Sequence, residues 1–201
     1  MNAKVIDECT PVEISDEDVL KAMRSIPGYL DITPEDFKEV YRVAYASAMA
    51  RVLNDLKASD IMTTPVHVID RNSDLADTAQ MLADKGISGA PVVDSKGNVL
   101  GVISEKDFLG MMGSNRTGSF MEVIAQCLKT KGCVVTHMRN NVVCDIMSKP
   151  AITASEDTSV SEISTIFMKK TINRVPIVNK DDKLTGIVAR SDLVRSYCSF
   201  R

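Results

Sequence analysis

The sequence predicts an α/β (α+β) fold of two tandem β-α-β-β-α repeats packed with pseudo-twofold symmetry, preceded by N-terminal helices. The first observation behind this prediction is an internal repeat, because residues 60–107 align with residues 145–192 at a constant offset and without a gap. The second is the order of hydrophobic patterns, which is the same in both copies. A unit of roughly 50 residues is too small to bury both faces of a sheet well. We therefore expect the two copies to pack together, with related pockets at their junction.

Each copy opens with the sequence Asp-Ile-Met-x-x-Pro, and a short strand is predicted directly after it, at residues 66–69 and 151–154. A helix comes next, predicted by apolar residues at helical spacing: Leu75, Ala79 and Leu82 in the first copy, and Val160, Ile163 and Phe167 in the second. Two apolar runs around a polar turn then predict antiparallel strands, at 90–93 and 99–103 and again at 175–178 and 184–188. A second helix begins at Ser104 and at Ala189.

Two helix starts precede the repeats, one at Ser15 and one at Thr33. The second has a Thr cap, a proline at the first helical position and acids in the first turn. It opens an amphipathic helix predicted from Thr33 to about Lys57, whose apolar stripe is Phe37, Val40, Tyr41, Ala44, Ala48, Val52 and Leu56. The predicted domains are an N-terminal helical arm (1–57), a first repeat (58–111), a helical insertion with one short helix near Phe120 (112–140), and a second repeat (141–201).

Composition excludes several classes of function. The chain is 44% hydrophobic and 25% charged, as ordinary globular proteins are, and its net charge of -3 offers no basic face for nucleic acid. Five widely spaced cysteines without a C-x-x-C pattern, and no signal peptide, predict reduced thiols and a cytoplasmic location. No apolar run reaches the ~20 residues that span a bilayer, so we do not expect a membrane-embedded protein.

No motif predicts catalysis or a required cofactor. The sequence has only two histidines, His67 and His137, and neither has a second metal ligand at a suitable spacing. It contains no glycine-rich phosphate loop and no Cys/His or Ser/His pair at an informative spacing.

The second strand and helix of each copy carry a more specific signal. Gly-aliphatic-aliphatic-Ser/Thr-x-x-Asp at residues 101–107 follows an x-Pro-Val-Val strand and the opening Asp-Ile-Met-x-x-Pro. This combination resembles the cystathionine-β-synthase (CBS) domain, and two in tandem resemble the paired CBS or Bateman module. The resemblance covers residues 58–111 and 141–197. It implies a non-catalytic regulatory fold that forms twofold homodimers and binds adenosine-containing ligands (AMP, ADP, ATP or S-adenosylmethionine) between the two domains, usually to control a partner enzyme or transporter.

The same resemblance implies where a nucleotide binds. The carboxylates of Asp107 and Asp192 accept the ribose hydroxyls, and the free backbone N–H groups of Ser104 and Ala189 face phosphate at a helix N-terminus. The Ser104 hydroxyl adds a donor to the first site, and arginines replace it in the second. The base slots are formed by strand residues and by the segment before each second strand. The first slot contains Val66, His67, Ile87, Ser88 and Val102, and the second contains Ile152, Thr153, Asn173, Arg174 and Ile187. Arg190 lies at the phosphate end of the second site.

Four alternatives stay open at this point. Ser104-x-x-Asp107 is also a helix-capping pattern, worth ~1 kcal/mol without any ligand, and Arg190 is equally well explained as a solvated helix-start residue. The whole chain could serve as a structural or dimerisation module with empty pockets, or as an accessory regulatory subunit of an enzyme or transporter. If nucleotides bind, the sites differ, because Glu105 disfavours anionic charge in the first and favours a monophosphate or nucleoside-like ligand there.

Apolar side chains on the second helices predict the homodimer. They are Phe108, Leu109, Met111 and Met112 in the first copy, and Leu193, Val194 and Tyr197 in the second. We expect the arm to pack on the repeats or across this dimer, since no flexible linker separates it from them.

Overall fold

The N-terminal arm consists of two capped helices. The computed structural model describes residues 14–28, 31–112 and 141–198, and in it α1 spans Asp16–Ser25 and α2 spans Pro34–Asp55. Ser15 Oγ accepts a hydrogen bond from the Asp18 N–H at 3.1 Å, and Thr33 Oγ1 accepts one from the Asp36 N–H at 3.1 Å. Both predicted starts are therefore present, with Pro34 in the first turn of α2. The helix predicted near Phe120 lies outside the described residues.

The two repeats have the same element order, and each forms a three-stranded sheet with helices around it. The first contains α3 (Ala58–Ile61), β1 (Ile69–Asp70), α4 (Leu75–Asp84), β2 (Gly89–Val93), β3 (Val99–Ser104) and α5 (Glu105–Met112). The second contains α6 (Val143–Ile146), β4 (Ala154–Ser155), α7 (Val160–Lys170), β5 (Arg174–Val178), β6 (Leu184–Ala189) and α8 (Arg190–Cys198). The first strand pairs parallel to the second, and the third pairs antiparallel to the second. The predicted fold class is confirmed.

The first strand of each repeat is shorter than predicted, because the chain before it belongs to the other sheet. Thr63 exchanges both backbone hydrogen bonds with Ile187 of the second repeat, at 2.9 and 3.2 Å. Ser148 likewise exchanges two bonds of 3.0 Å with Val102 of the first repeat. Residues 64–68 and 149–153 therefore cross from one sheet to the other, and the ladder of their own sheet begins only at Ile69 and at Ala154.

The packing units differ from the sequence repeats for the same reason. We call residues 57–65 and 142–150 the leading segments. Helix α3 of the first leading segment hydrogen-bonds to the second repeat, with Ala58 N–H donating to Thr158 O at 2.8 Å, and α6 binds the first repeat, with Val143 N–H donating to Ser73 O at 3.0 Å. Each hydrophobic core is completed accordingly: Val143, Ile146 and Met147 complete the first, and Ala58, Ile61 and Met62 complete the second.

The invariant Met and Gly of the two copies meet through this exchange. A Cβ added at Gly101 would lie 2.6 Å from Ser148 O and 3.0 Å from Met147 Sδ. A Cβ at Gly186 would collide with the side chain of Met62. The missing side chain on β3 and on β6 thus makes room for the methionine of the opposite leading segment.

The arm packs on the second repeat. Helix α1 contacts α2, and α2 contacts α7, with Leu53 and Leu56 packed against the second core. The predicted stripe is only partly correct, because Val40 is 59% exposed and no side chain of α2 is fully buried. Among the described helices, none is long and apolar enough to cross a bilayer.

Candidate functional site at the repeat junction

Asp107 and Asp192 cap the helices on which they lie. Asp107 Oδ2 accepts hydrogen bonds from the Ser104 backbone N–H at 2.7 Å and from the Ser104 hydroxyl at 2.8 Å. Asp192 Oδ2 accepts one from the Ala189 N–H at 2.8 Å. The expectation of free N–H groups at Ser104 and Ala189 is therefore wrong, since both donate to a carboxylate three residues later, and the Ser104 hydroxyl does so as well.

The backbone N–H group of the following residue in each helix is also hydrogen-bonded. Glu105 N–H donates to Ser88 O at 3.1 Å, and Arg190 N–H donates to Asn173 O at 3.2 Å. These bonds hold the helix start against the residue that precedes the second strand. The local fold brings the carboxylate, this residue and the strand end together.

The second oxygens of the two carboxylates have different surroundings. Asp107 Oδ1 accepts a hydrogen bond of 2.8 Å from the hydroxyl of Ser148, which belongs to the opposite leading segment. Asp192 Oδ1 lies 4.0 Å from Arg195 Nη1, and the Asp192 side chain is almost fully buried. Asp107 thus has one oxygen committed to its helix and one bonded across the junction, whereas Asp192 contacts Ala189 and Arg195, which lie next to and on its own helix.

The first of two clefts between the repeats, which we call the Asp107 cleft, has a volume of about 230 Å³. It combines β3 and the start of α5 with residues of the second repeat. Its lining is Ser88, Val102, Ser104, Glu105, Lys106, Asp107, Ser148, Pro150, Ala151, Ile152, Thr171, Ile172, Asn173 and Arg174.

The second, the Asp192 cleft, has a volume of about 340 Å³, within the usual range of small-molecule pockets. It is the pseudo-symmetric counterpart of the first. Its lining is Thr63, Pro65, Val66, His67, Gly86, Ile87, Ser88, Gly89, Pro91, Arg174, Ile187, Ala189, Ser191, Asp192 and Arg195.

The sequence-predicted residues are thus brought to the junction but in exchanged halves. Val66, His67 and Ile87 lie with Asp192, whereas Ile152 and Asn173 lie with Asp107. The assignment of these five residues to the carboxylate of their own copy was wrong, because the leading segments cross between the sheets. Val102 and Ile187 do lie with the carboxylate of their own copy, and Ser88 and Arg174 line both clefts. Thr153 is exposed and lies outside both linings.

Arg190 also lies outside both linings, contrary to its predicted place at a phosphate. Its Nε donates to Ile172 O at 3.3 Å and its Nη2 donates to Phe167 O at 3.3 Å. The guanidinium carbon is 6.0 Å from the centre of the Phe167 ring. A cation at the C-terminal carbonyls of α7 and over an aromatic ring stabilises the helix end, so the role of Arg190 in the structure is packing.

Arg174 occupies the junction itself. It is half-buried, its Nη2 donates to the Ser88 hydroxyl, and it lines both clefts. Burial lowers the pKa of its guanidinium, and the nearby negative charge of Glu105 partly opposes that shift.

Sequence reasoning missed several lining residues of chemical interest. Ser148 binds the Asp107 carboxylate through its hydroxyl, Thr63 lines the Asp192 cleft, and Lys106 and Arg195 add cations. Thr63 and Ser148 occupy the same repeat position, and the retention of a hydroxyl there is the signal that could have found them. Within the described ranges, no three His, Cys, Asp or Glu side chains come together as a metal site.

The family of the chain follows from comparison with known proteins. The CBS domain model matches residues 58–114 and again residues 143–199, together more than half of the chain. The chain belongs to the CBS domain family. The two matches are the two repeats seen in the structure, so the resemblance predicted from the sequence motifs is confirmed.

Relatives of this CBS pair include proteins of similar size and parts of larger ones. The chain is 29% identical over 178 residues to the uncharacterized protein MJ1426 of Methanocaldococcus jannaschii, covering 74% of this chain and 99% of that protein. It spans 58% of the length of the chloroplastic CBS domain-containing proteins CBSX1 and CBSX2 of Arabidopsis thaliana.

Two solved structures share the fold. One is CBSX2 in complex with AMP, with a TM-score of 0.57 and 23% identity over 72% of this chain and 98% of that one. The other is the CBS domain pair of protein MJ0100 in complex with 5-methylthioadenosine and S-adenosyl-L-methionine, with a TM-score of 0.55 and 24% identity over 72% and 98% of the two chains.

Proposed function

We propose that this CBS pair is a sensor that binds AMP, ADP, ATP or S-adenosylmethionine in its two clefts and thereby regulates a partner protein. The observation that carries the proposal is the composition of each cleft. In each cleft one repeat supplies a carboxylate, and the other supplies a residue with a hydroxyl and an apolar wall; in the Asp107 cleft the carboxylate and the hydroxyl are hydrogen-bonded across the junction. Related CBS pairs hold AMP, or 5-methylthioadenosine and S-adenosyl-L-methionine, which supports the ligand class.

In the Asp107 cleft, the adenine base lies against Val102, Ile152 and Ile172, and the ribose diol donates to Asp107. The hydroxyl of Ser148 now holds Asp107 Oδ1, and a rotation about its Cα–Cβ bond releases that oxygen for a ribose hydroxyl. Lys106 supplies positive charge for a phosphate, since it lines the same cleft.

In the Asp192 cleft, the base lies against Val66, Ile87 and Ile187, and His67 is placed to hydrogen-bond its edge. Asp192 accepts the ribose diol. Arg195, which lines the cleft and lies near Asp192, takes the phosphate function that the sequence suggested for Arg190.

The two clefts suit ligands of different charge. Glu105 and Asp107 balance Lys106 and Arg174 in the Asp107 cleft, whereas Asp192 is the one acidic residue among those that line its own cleft. The Asp107 cleft therefore favours a monophosphate, a nucleoside or the cationic S-adenosylmethionine, and the Asp192 cleft favours a more anionic nucleotide.

The arm is the output element of the proposed sensor. Helix α2 leads through Leu56 and α3 into Thr63 and Pro65, which line the Asp192 cleft, so a bound ligand touches a chain segment continuous with the arm. Ligand shifts this arrangement only through different affinities for two states. We further propose a cytoplasmic homodimer with no catalytic activity and no nucleic-acid partner, acting on a separate enzyme or transporter.

A second candidate is a structural or dimerisation module whose clefts stay empty. The observation that favours it is the set of capping bonds, because Asp107 and Asp192 have a structural role without any ligand.

Calorimetry separates the two candidates. The dialysed chain is titrated with AMP, ADP, ATP and S-adenosylmethionine up to millimolar concentration, and mass spectrometry of the denatured protein identifies any nucleotide carried through purification. We expect two binding events with at least one of these ligands and none with the double variant Asp107→Asn/Asp192→Asn. The variant Asp77→Asn, at an exposed position of α4 outside both clefts, is the control for loss of a carboxylate elsewhere in the chain. No heat of binding with any of the four ligands defeats the sensor proposal.

A further inference from the structure

Arg174 is the one charged side chain, of those in the described part of the chain, that lines both clefts. Ser88 is the other shared residue, and the Arg174 guanidinium donates to its hydroxyl. This pair therefore forms the wall between the clefts. An arginine keeps its charge at neutral pH, and its planar fork binds a phosphate through two parallel hydrogen bonds.

The arginine at position 174 has no counterpart in the first repeat, because the equivalent position there has no room for a side chain. The position equivalent to Arg174 in the first repeat is Gly89, which pairs with Ser104 across the β2–β3 ladder. A Cβ added at Gly89 would lie 2.5 Å from Ile103 O and 2.9 Å from Ser104 Cα. These are backbone atoms of the neighbouring strand, so they cannot move aside as a flexible side chain could. The two clefts thus share the guanidinium of Arg174, which has no counterpart at the equivalent position of the first repeat.

We infer that Arg174 makes the two clefts compete for phosphate-bearing ligands, so that an anion bound in one cleft weakens the binding of an anion in the other. The inference deepens the proposed function and rests on it. A ligand phosphate in either cleft draws the guanidinium away from Ser88 and toward itself. The other cleft must then bind its anion without a contact to Arg174, whose charge is already balanced by the first phosphate. A neutral nucleoside makes no use of the guanidinium and therefore binds in both clefts independently.

The sharing has two measurable signatures. The coupling is reciprocal by thermodynamic necessity, and couplings of this kind change affinity by about 5–150-fold. It also depends on ligand charge at constant shape, so AMP and adenosine, which differ only by the phosphate, are the appropriate pair of probes. A coupling that came from a general closure of the junction would affect both probes alike.

The test is a calorimetric cycle with AMP and adenosine. The two stepwise association constants of the wild-type chain are multiplied, and the product is compared with that of the single-cleft constants measured in Asp192→Asn and Asp107→Asn. For AMP we expect the wild-type product to be about 5–150-fold smaller, and for adenosine we expect the two products to agree. When all three proteins also carry Arg174→Met, the product of the two stepwise constants for AMP should equal the product of the single-cleft constants. Arg190→Met, which removes an arginine that lies outside both linings, should keep the coupling.

Each outcome is decisive. Equal products for AMP in the wild-type background overturn the coupling while leaving the sensor proposal intact, and so does a coupling that persists in Arg174→Met. Absence of AMP binding to the wild-type chain overturns both. Arg174→Gln repeats the cycle with a side chain that still reaches toward Ser88 without charge, and thermal unfolding of each variant confirms that it is folded before it is titrated.

Discussion

The hydroxyl of Ser148 donates to Oδ1 of Asp107 across the repeat junction at 2.8 Å. This bond ties the leading segment of the second repeat to the helix of the first, at the atom proposed to accept a ribose. Asp107 therefore has two structural roles, as a cap for α5 and as a partner of the opposite repeat, and one proposed role as a ligand acceptor, and experiments can separate the three.

Replacing either partner of this bond separates ligand binding from interdomain contact. Asp107→Asn should weaken AMP in the Asp107 cleft by roughly 100-fold, because a ribose bound through charge-assisted hydrogen bonds of about 1.5–3 kcal/mol each loses its acceptor. Ser148→Ala leaves the carboxylate in place and removes one hydroxyl contact, so the affinity should change by about fivefold at most. Calorimetric titration measures both, and equal losses would mean that Asp107 acts only through Ser148.

Nucleotide should stabilise the folded chain. A ligand that binds only the folded state at about 100 times its dissociation constant adds ~2.7 kcal/mol to the free energy of unfolding, which corresponds to an increase in unfolding temperature of several degrees for a chain of this size. Differential scanning fluorimetry with AMP, ADP, ATP and S-adenosylmethionine measures the shift. The double variant Asp107→Asn/Asp192→Asn is the control, and the same shift in that variant would show that the stabilisation arises outside the two clefts.

The two Met–Gly contacts provide a test of the exchanged packing. In Gly101→Ala the new methyl meets the backbone oxygen Ser148 O, whereas in Gly186→Ala it meets the flexible side chain of Met62. We expect Gly101→Ala to lower the free energy of unfolding by about 1–3 kcal/mol and Gly186→Ala to lower it less, since a side chain relaxes more easily than a backbone. Urea unfolding measures both, and the opposite order would contradict the described packing at Gly101.

Features that depend on residues close together in the sequence were predicted, whereas features that depend on contacts between distant residues were not. The buried side of α7 was predicted residue by residue, since Val160, Ile163 and Phe167 are all buried and helical spacing is a local property. The exchange of leading segments was not predictable in the same way. Met62 could pack on Gly101 or on Gly186, and because both copies have the same local pattern, only the three-dimensional crossing of the chain decides between them.

In the candidate site, too, local features were predicted and features that depend on packing were not. Motif spacing found both carboxylates, but the direction of Arg190 depends on the carbonyls of Phe167 and Ile172, which only the packing of α7 against α8 brings within its reach. The N–H groups of Ser104 and Ala189 were predicted to be free because the sequence does not show whether a carboxylate three residues later faces the helix or the ligand.

Acid should destabilise the chain partly through Asp94. Hydrogen bonds from the backbone and side-chain amides of Asn98 hold the pKa of Asp94 below its ordinary value of 3.8. A carboxyl whose pKa is lower in the folded state stabilises the fold above the unfolded pKa, and this contribution is lost as the pH falls through the folded pKa. We expect Asp94→Asn to flatten the dependence of unfolding free energy on pH below about 4. Urea unfolding between pH 2.5 and 7 measures it, with Asp77→Asn as control; an unchanged slope would remove Asp94 from the acid response.

The proposed homodimer is tested by light scattering. Met111 is 39% exposed, Met168 69% and Val194 47%, which leaves apolar surface on α5, α7 and α8 for a second copy. Leu193, by contrast, is buried in the second core, so its predicted place on this face was wrong, and the side chain of Tyr197 lies outside the described residues. We expect a dimer at tens of micromolar that Val194→Glu converts to a monomer. Leu20→Glu, at an exposed position of the arm, is the matched control, and a monomeric wild type would refute the dimer.

Coupling of the arm to the clefts should appear in hydrogen exchange. Because Thr63 and Pro65 connect α3 with the Asp192 cleft, we expect nucleotide to change the protection of the C-terminal part of α2 as well as that of residues 57–65. The variant Asp192→Asn should abolish the change. Protection changes confined to the clefts would leave the arm without a part in signalling.

The exchange of leading segments makes the chain resemble a dimer of repeats joined by a covalent link. Neither repeat has a complete interior of its own, because Met147 fills a place in the first core and Met62 in the second. When one repeat unfolds, its leading segment leaves the hydrophobic core of the other repeat. The free energy of unfolding of one repeat thus depends on the other. We therefore expect the pair to unfold as one cooperative unit, with both clefts lost together.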